Sequence, residues 1–516
     1  MTLLPLLPKL IPTQNRKKEE PVTKDSAYWH GMAAGLAPAS GIVVDGREEG
    51  AESGATFTTR NPATGRPIAE VARGDTPDVD RAVRSARRAF DSGVWAAAPP
   101  AERKAVLLRL AALVLEHADE LAVLDTVDGG KLITDTSQFD VPGAAAILQW
   151  YAEMIDKTYG EVAPTAPGDL AIVTREPLGV VGAVVPWNYP LEMAIWKVAP
   201  ALAAGNSVVL KPAEQSPLSA IRLGLLAVRA GLPAGVLNVV PGYGHEAGRA
   251  LGEHPDVDCI AFTGSTAVGK LYLQYAGASN LKQVWPECGG KSANIVFADA
   301  ADLAAAARLT ADRMFGCAGQ VCSANSRLLV EKSVAKDFVA AVSARAMELV
   351  VGDPLDPAST LGPLVSPEQA ERVMGHIERG QESAALVLGG HRVEGLPGGC
   401  FVEPTVFTDV DPASALAQEE IFGPVLAVTT FEREEEAVRI ANDSSYGLAA
   451  SVWSDGLART LRVSRALRVG TVSVNTIDAL DVVTPFGGVK QSGFGRDLSA
   501  HSLEKYTSLK TTWFAS

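Results

Sequence analysis

Four runs rich in Val, Ile, Leu and Ala, at 179–185, 207–210, 237–240 and 259–262, follow one another at helix-length intervals without polar alternation. A strand with one wet face alternates; a strand covered on both faces does not. The intervening segments are long enough for the crossovers that parallel strands require. The pattern therefore predicts a doubly wound sheet, whose ligands gather beyond the C-terminal ends of its strands. A second series follows, with strands at 294–297, 326–330, 424–430, 448–453 and 470–474 and a helix over 334–350. The expected fold class is α/β, with two doubly wound αβα domains meeting near Gly290.

Ahead of the first series, 41–45 reads as a strand, and 79–92, 101–124 and 141–157 read as helices. The second of these carries Val106, Leu107, Leu110, Leu113, Val114 and Leu121 at three- and four-residue steps. Residues 170–175 and 504–514 read as extended. Exposed strands at a chain end pair with another subunit or form an ordinary edge sheet, so a small β oligomerisation arm is expected from them. Residues 1–39 open on an apolar run broken by Pro5, Pro8 and Pro12, with no basic residue ahead of it. That is not the build of a signal peptide, and a disordered or loosely packed extension is expected. The layout is then 1–39 extension, 40–163 and 179–290 nucleotide-binding, 291–492 catalytic, and 164–178 with 493–516 for oligomerisation.

At 516 residues the chain exceeds what one core usually holds. Its 46 basic against 60 acidic residues give a net charge of -14, which argues against nucleic acid as partner because phosphate binding needs clustered Lys and Arg. No run is long enough for a membrane span. Five scattered cysteines suit a reducing cytoplasm better than a disulfide framework. Cys317 and Cys322 lack further ligands at zinc spacing, so no metal is expected.

The chemistry-bearing residues stand at strand ends. Gly319-Gln320-Val321-Cys322 is a loop between a helical segment and a strand; Cys322 is either a displayed nucleophile or one more small buried hydrophobe. Trp187-Asn188-Tyr189, between Pro186 and Pro190, offers a side-chain amide that is either an oxyanion donor or turn chemistry. Glu287, ahead of Gly289-Gly290-Lys291, can act as a base if buried and not if exposed. Lys211-Pro212-Ala213-Glu214 supplies a cation and a carboxylate for ribose hydroxyls, or a solvated strand end. Two strand-to-helix turns compete for a pyrophosphate: Gly242-Tyr243-Gly244-His245-Glu246-Ala247, which lacks a following acid, and Phe262-Thr263-Gly264-Ser265 leading to Gly269.

Taken together with Glu420-Ile421-Phe422-Gly423-Pro424 and Pro485-Phe486-Gly487-Gly488, these motifs have the order and spacing of the aldehyde dehydrogenase superfamily, which the chain resembles from about residue 40 onward. The resemblance implies NAD-dependent oxidation of an aldehyde to a carboxylic acid, in a homodimer or homotetramer. It implies Cys322 as the nucleophile, Asn188 with the Cys322 N–H as oxyanion donors, and Glu287 as the base that hydrolyses the thioester. It also implies that Lys211 and Glu214 meet the adenosine ribose, Gly264, Ser265 and Gly269 the diphosphate, and Glu420 and Phe422 the nicotinamide ribose, with Trp187 a further cofactor contact. An acid at Glu214 favours NAD over NADP. Cys317 departs from the family, where Asn is usual; the consequence is either a plain substitution or a second thiol able to pair with Cys322.

Tyr189, Trp196, Glu192, Asp478 and Asp481 fall in segments that line the substrate tunnel of relatives. Aromatics with carboxylates suit a cationic substrate. The run through Ala27-Tyr28-Trp29 and Trp150-Tyr151 resembles the branch that oxidises γ-glutamyl-aminobutyraldehyde and other ω-aminoaldehydes of polyamine breakdown. A broad-specificity enzyme, a coenzyme A-acylating enzyme and a non-catalytic scaffold are the alternatives.

Overall fold

The computed structural model describes residues 24–515. Its first sheet has seven strands in the order Gln283–Cys288, Cys259–Gly264, Val180–Val184, Ser207–Lys211, Leu237–Val239, Ile42–Val44 and Arg47–Glu49. The first five are parallel and the last two are added antiparallel. Alternate residues enter different cores. Val180, Val184 and Ile260 pack with the helices Thr76–Asp91 and Thr266–Ala278, while Val181, Ala183 and Ala261 pack with Pro190–Ala204 and Leu218–Arg229. Both faces are dry, so the absence of polar alternation has its cause.

Within the parallel part of this sheet the chain starts at Val180–Val184, winds outward to Leu237–Val239, then crosses back to Cys259–Gly264 on the other side. The order therefore reverses between Val180–Val184 and Cys259–Gly264. Loops leaving two neighbouring strands there diverge and leave a crevice.

The second sheet runs Ala385–Leu388, Thr405–Thr408, Val425–Phe431, Arg327–Glu331, Ala293–Val296, Ala449–Trp453 and Thr471–Val474, parallel except at its first pair. A third, antiparallel sheet joins Thr507–Phe514, Leu170–Pro177 and Glu161–Ala163. The fold is α/β, with two doubly wound units and a small β arm. Among the described residues, no helix is long and apolar enough to cross a membrane.

Four expectations need correction. Within the supposed extension 1–39, Ser26–Ala34 is a helix capped by the Asp25 carboxylate, with Trp29 3% exposed and Tyr28 donating to Asp119 at 2.6 Å; residues 1–23 lie outside the described part. The apolar stripe over 101–124 spans two helices, Pro100–Glu116 and Ala118–Gly129, which break at His117, where the ring is tied to Glu120 at 2.7 Å. Continuous periodicity does not reveal such a break, because both helices bury the same side. The arm takes in Glu161–Ala163, ahead of the expected 164. Residues 500–506 coil into a 3-10 helix, Ala500–Tyr506, before the final strand.

Candidate active site

The crevice at the order reversal opens into a cavity of about 260 Å³ lined by Trp187, Asn188, Gly264, Ser265, Glu287 and Cys322, among others. Trp187 and Asn188 leave the end of Val180–Val184; Gly264 and Ser265 leave Cys259–Gly264. The turn at 242–247 follows Leu237–Val239, away from the reversal, and does not line this cavity. Of the two candidate pyrophosphate turns, the one that lines the cavity is at Thr263, Gly264 and Ser265.

Cys322 comes across from the second unit. The helix Leu303–Phe315 ends, and the chain then takes three successive left-handed residues, Cys317 (φ 50), Ala318 (φ 52) and Gly319 (φ 71). Each non-glycine residue in that region costs about 1–2 kcal/mol. Gln320, 2% exposed, pins the turn: its amide accepts from Val365 N–H at 2.9 Å and donates to the Cys317 carbonyl at 3.0 Å. The Cys322 carbonyl then rests on Gly290, where a Cβ would stand 2.7 Å from it. The thiol lies in a field of acids. Burial, then Asp478, Glu420 and Glu287, push it far above the usual thiol range.

Asn188 is 5% exposed, and its Nδ2 donates to the Gln320 carbonyl at 2.8 Å. An amide nitrogen has a second hydrogen, and the rigid first bond fixes its direction. Glu287, on the last turn of its strand, is 3% exposed, and neither carboxylate oxygen has a hydrogen-bond partner. Gly487 and Gly495 make room for it, since a Cβ on either would come within 2.9 Å of the carboxylate. Burial and then Asp497 raise Glu287 well above the usual carboxylate range, against Lys197, Lys505 and Arg496. The carboxyl is thus buried as a base requires, and the exposed-loop alternative is removed.

Glu420 accepts from Gly290 N–H at 3.1 Å, and burial pushes it up to about 7. Phe422, itself left-handed at φ 58, meets Trp187 edge to face at 5.2 Å. Lys211 ends the strand next to Val180–Val184 and pairs with Glu214 at 3.0 Å, outside the cavity but beside the reversal. Tyr189, Glu192, Trp196 and Asp478 line the cavity.

Three expectations shift. Asp481 does not line the cavity: it is exposed and accepts from Val483 N–H, and Asp478 and Leu480 line the cavity instead. Gly269 lies inside its helix, where a Cβ would stand 2.8 Å from the Cys288 sulfur, so packing explains it. Cys317 and Cys322 are both free thiols, and the Cys317 sulfur sits 3.8 Å from Lys131 Nζ and 3.9 Å from the Asn188 carbonyl, behind the site. Sequence reasoning missed Gln369, Arg372 and Asp497, and quoted Phe486 within its motif without a role. The first two stand on the helix Pro367–Gln381, and Gln369 donates to the Phe422 carbonyl at 2.8 Å. Only the Ser366-Pro367 start signal marks that helix.

The residues suit a dinucleotide. Ser265 caps the thirteen-residue helix Thr266–Ala278, whose N-terminus faces the reversal, and the buried Thr263 hydroxyl lining the cavity has no partner. Among the described residues, no three His, Cys, Asp or Glu side chains group as a metal site.

The chain is 53% identical over 489 residues to the NADP/NAD-dependent aldehyde dehydrogenase PuuC of Escherichia coli (strain K12), covering 95% of this chain and 98% of that one. It is similar to the solved structure of a gamma-glutamyl-gamma-aminobutyraldehyde dehydrogenase from Burkholderia cenocepacia J2315 (TM-score 0.93, 55% identity, 95% and 99% covered). It is similar also to an indole-3-acetaldehyde dehydrogenase in complex with NAD+ (TM-score 0.94, 52% identity, 95% and 100% covered). Residues 49–512 match the Aldehyde dehydrogenase family, and the chain belongs to that family.

Proposed function

We propose that the chain oxidises ω-aminoaldehydes, γ-glutamyl-aminobutyraldehyde among them, with NAD as cofactor, and that Cys322, Asn188 and Glu287 carry the chemistry. The observation that carries this reading is that a thiol, a fixed amide and a buried carboxylate share one cavity with further acids, Glu192 and Asp478 among them.

The Cys322 sulfur bonds to the aldehyde carbon, and the thiol proton leaves to solvent. The second N–H of Asn188 and the Cys322 N–H hold the resulting oxyanion. NAD, when bound, would supply the acceptor for the hydride that this carbon loses. The sulfur is then left in a thioester. Glu287 takes a proton from water, whose oxygen attacks the thioester carbonyl; the C–S bond breaks, and the proton on Glu287 returns to the departing sulfur, releasing the acid and the thiol. Gly264, Ser265 and the start of Thr266–Ala278 would hold the diphosphate, Lys211 and Glu214 the adenosine ribose, and Glu420, Phe422 and Trp187 the nicotinamide side.

The unit built on 40–163 and 179–290 is assigned to the nucleotide, that on 291–492 to catalysis. The arm exposes Val162, Leu509, Trp513 and Phe514, a surface suited to a second copy of the chain in a homodimer or homotetramer. Five free thiols suit the cytoplasm.

A broad-specificity reading is favoured by Met193, Trp196, Leu480 and Phe486, which make much of the lining apolar. NADH formation measured in parallel with γ-glutamyl-aminobutyraldehyde, 3-aminopropanal, betaine aldehyde and aliphatic aldehydes separates the two. The expected result is a preference for the amine-bearing aldehydes; a flat profile removes the ω-aminoaldehyde assignment. Coenzyme A acylation is opposed by the buried carboxylate of Glu287, which serves hydrolysis.

A further inference from the structure

A group of buried ions beside the cavity has no part in the steps above. Asp497 lines the cavity and is 1% exposed; its backbone exchanges 2.8 Å hydrogen bonds with Phe486. Its two carboxylate oxygens go to different lysines. Oδ2 accepts from Lys197, on the helix Pro190–Ala204, and Oδ1 accepts from Lys505, on the 3-10 helix Ala500–Tyr506. Lys197 is 0% and Lys505 2% exposed.

Burial pulls Lys197 below the usual ammonium range, against the Asp497 carboxylate; with both lysines protonated, two ammonium groups on one carboxylate leave one positive charge unmatched. A charge away from water needs a partner. Glu287 is the carboxyl that feels both lysines, and its own oxygens have no hydrogen-bond donor. The other groups around it add no charge that moves with ordinary pH. Cys288, Cys322 and Tyr506 are all pushed up by burial, and the Arg496 guanidinium is held by the carbonyls of Gly488 and Gly495 at 2.7 and 2.6 Å.

We propose that Lys505 is a positioning residue for Glu287: it makes the Lys197–Asp497–Lys505 group net positive, and that charge weakens the hold of Glu287 on its proton, so that the carboxylate able to take a proton from water is reached at lower pH. With Lys197 alone the pair would be neutral, and less would oppose the rise that burial imposes on Glu287. The proposal rests on the assignment of Glu287 as the hydrolytic base.

The test uses the full-length enzyme with Lys505→Met, Lys505→Arg, Asp497→Asn and the double variant Lys505→Met/Asp497→Asn. The first-turnover NADH burst reports acylation and counts folded sites. The steady-state rate from pH 5.5 to 10, and turnover of 4-nitrophenyl acetate without NAD, report hydrolysis of the acyl-enzyme. Lys505→Met should keep the burst, move the hydrolytic pH profile at least one unit toward alkali, and turn over at least tenfold more slowly at pH 7, with recovery at high pH. Lys505→Arg should restore the profile. The double variant again faces Glu287 with one unmatched lysine, so it should return close to the original profile. Should Lys505→Met fail to fold, Asp497→Asn alone decides, because two unmatched lysines move the profile at least one unit toward acid. An unmoved profile, or a double variant slower than the single, overturns the proposal. Glu287→Gln is the control: if it hydrolyses its acyl-enzyme at the original rate, the base assignment itself falls, whatever the lysine variants do.

Discussion

Replacing Glu192 by Gln tests the substrate assignment with little change of shape. Glu192 lines the cavity beside the Trp196 indole, and burial with Asp140 nearby pushes it up to about 8. An ammonium group brought to about 4 Å from its carboxylate gains about 4 kcal/mol at an effective dielectric constant of 20. At pH 7 the acid must first ionise, which costs about 1.4 kcal/mol for one pH unit. The difference, about 2.6 kcal/mol, corresponds to roughly 80-fold in kcat/KM. Glu192→Gln should therefore lower kcat/KM for 3-aminopropanal by that order and leave butanal, its uncharged counterpart, within about threefold. The sign with pH follows from the same acid. Between pH 6 and 9 Glu192 ionises without prior cost to the cation, so preference for the amine should rise by about two orders of magnitude and should be flat in the variant. Steady-state NADH formation with both aldehydes across that range is the assay. An equal fall for butanal, or an unchanged preference for 3-aminopropanal, refutes the reasoning.

Cys322→Ala should abolish dehydrogenation while NAD binding, followed by calorimetry, persists. Glu287→Gln should give one burst of NADH and then stall, with the acyl group detectable by mass spectrometry. Asp128 is buried and pushed up to about 8, accepting from Thr59 at 2.7 Å and from Leu218 N–H at 3.1 Å. A folded-state value raised above the unfolded one means that stability present below about pH 4 is lost as pH rises toward 8, by about 1.4 kcal/mol per unit. Asp128→Asn can keep both hydrogen bonds, so its melting temperature should gain on that of the unmodified protein steadily from pH 5.5 to 8; parallel melting curves would refute this.

The two αβ series were legible because double burial removes polar alternation, and Val180, Val181, Ala183 and Val184 show that cause directly. The site residues were legible where one loop holds both the reactive group and its punctuation, as with Pro186 to Pro190 and Gly319 to Cys322. What stayed hidden depends on contacts distant in sequence. The helix Ser26–Ala34 is held by Trp29 and Tyr28 against Ala118–Gly129, and its nine residues show no amphipathic pattern of their own. The strand Gln283–Cys288 contains Pro286 and lies at the sheet edge, where a proline is tolerated but a reader of patterns stops. Asp497 carries no motif; its importance comes from two lysines that meet it from helices 300 and 8 residues away.

Reversal of hand at residues 317–319 limits how this enzyme can be altered. A loop that winds left for three residues cannot be annealed into the preceding right-handed helix by drift or by design. Side chains branched at Cβ are the least tolerated there. At 319 even a methyl group would strike the Gly423 carbonyl. A library randomised over 317–319 should return Asn, Asp and Gly beside the present Cys and Ala at the first two places and Gly alone at the third, and every survivor should deliver the sulfur of residue 322 to the same spot.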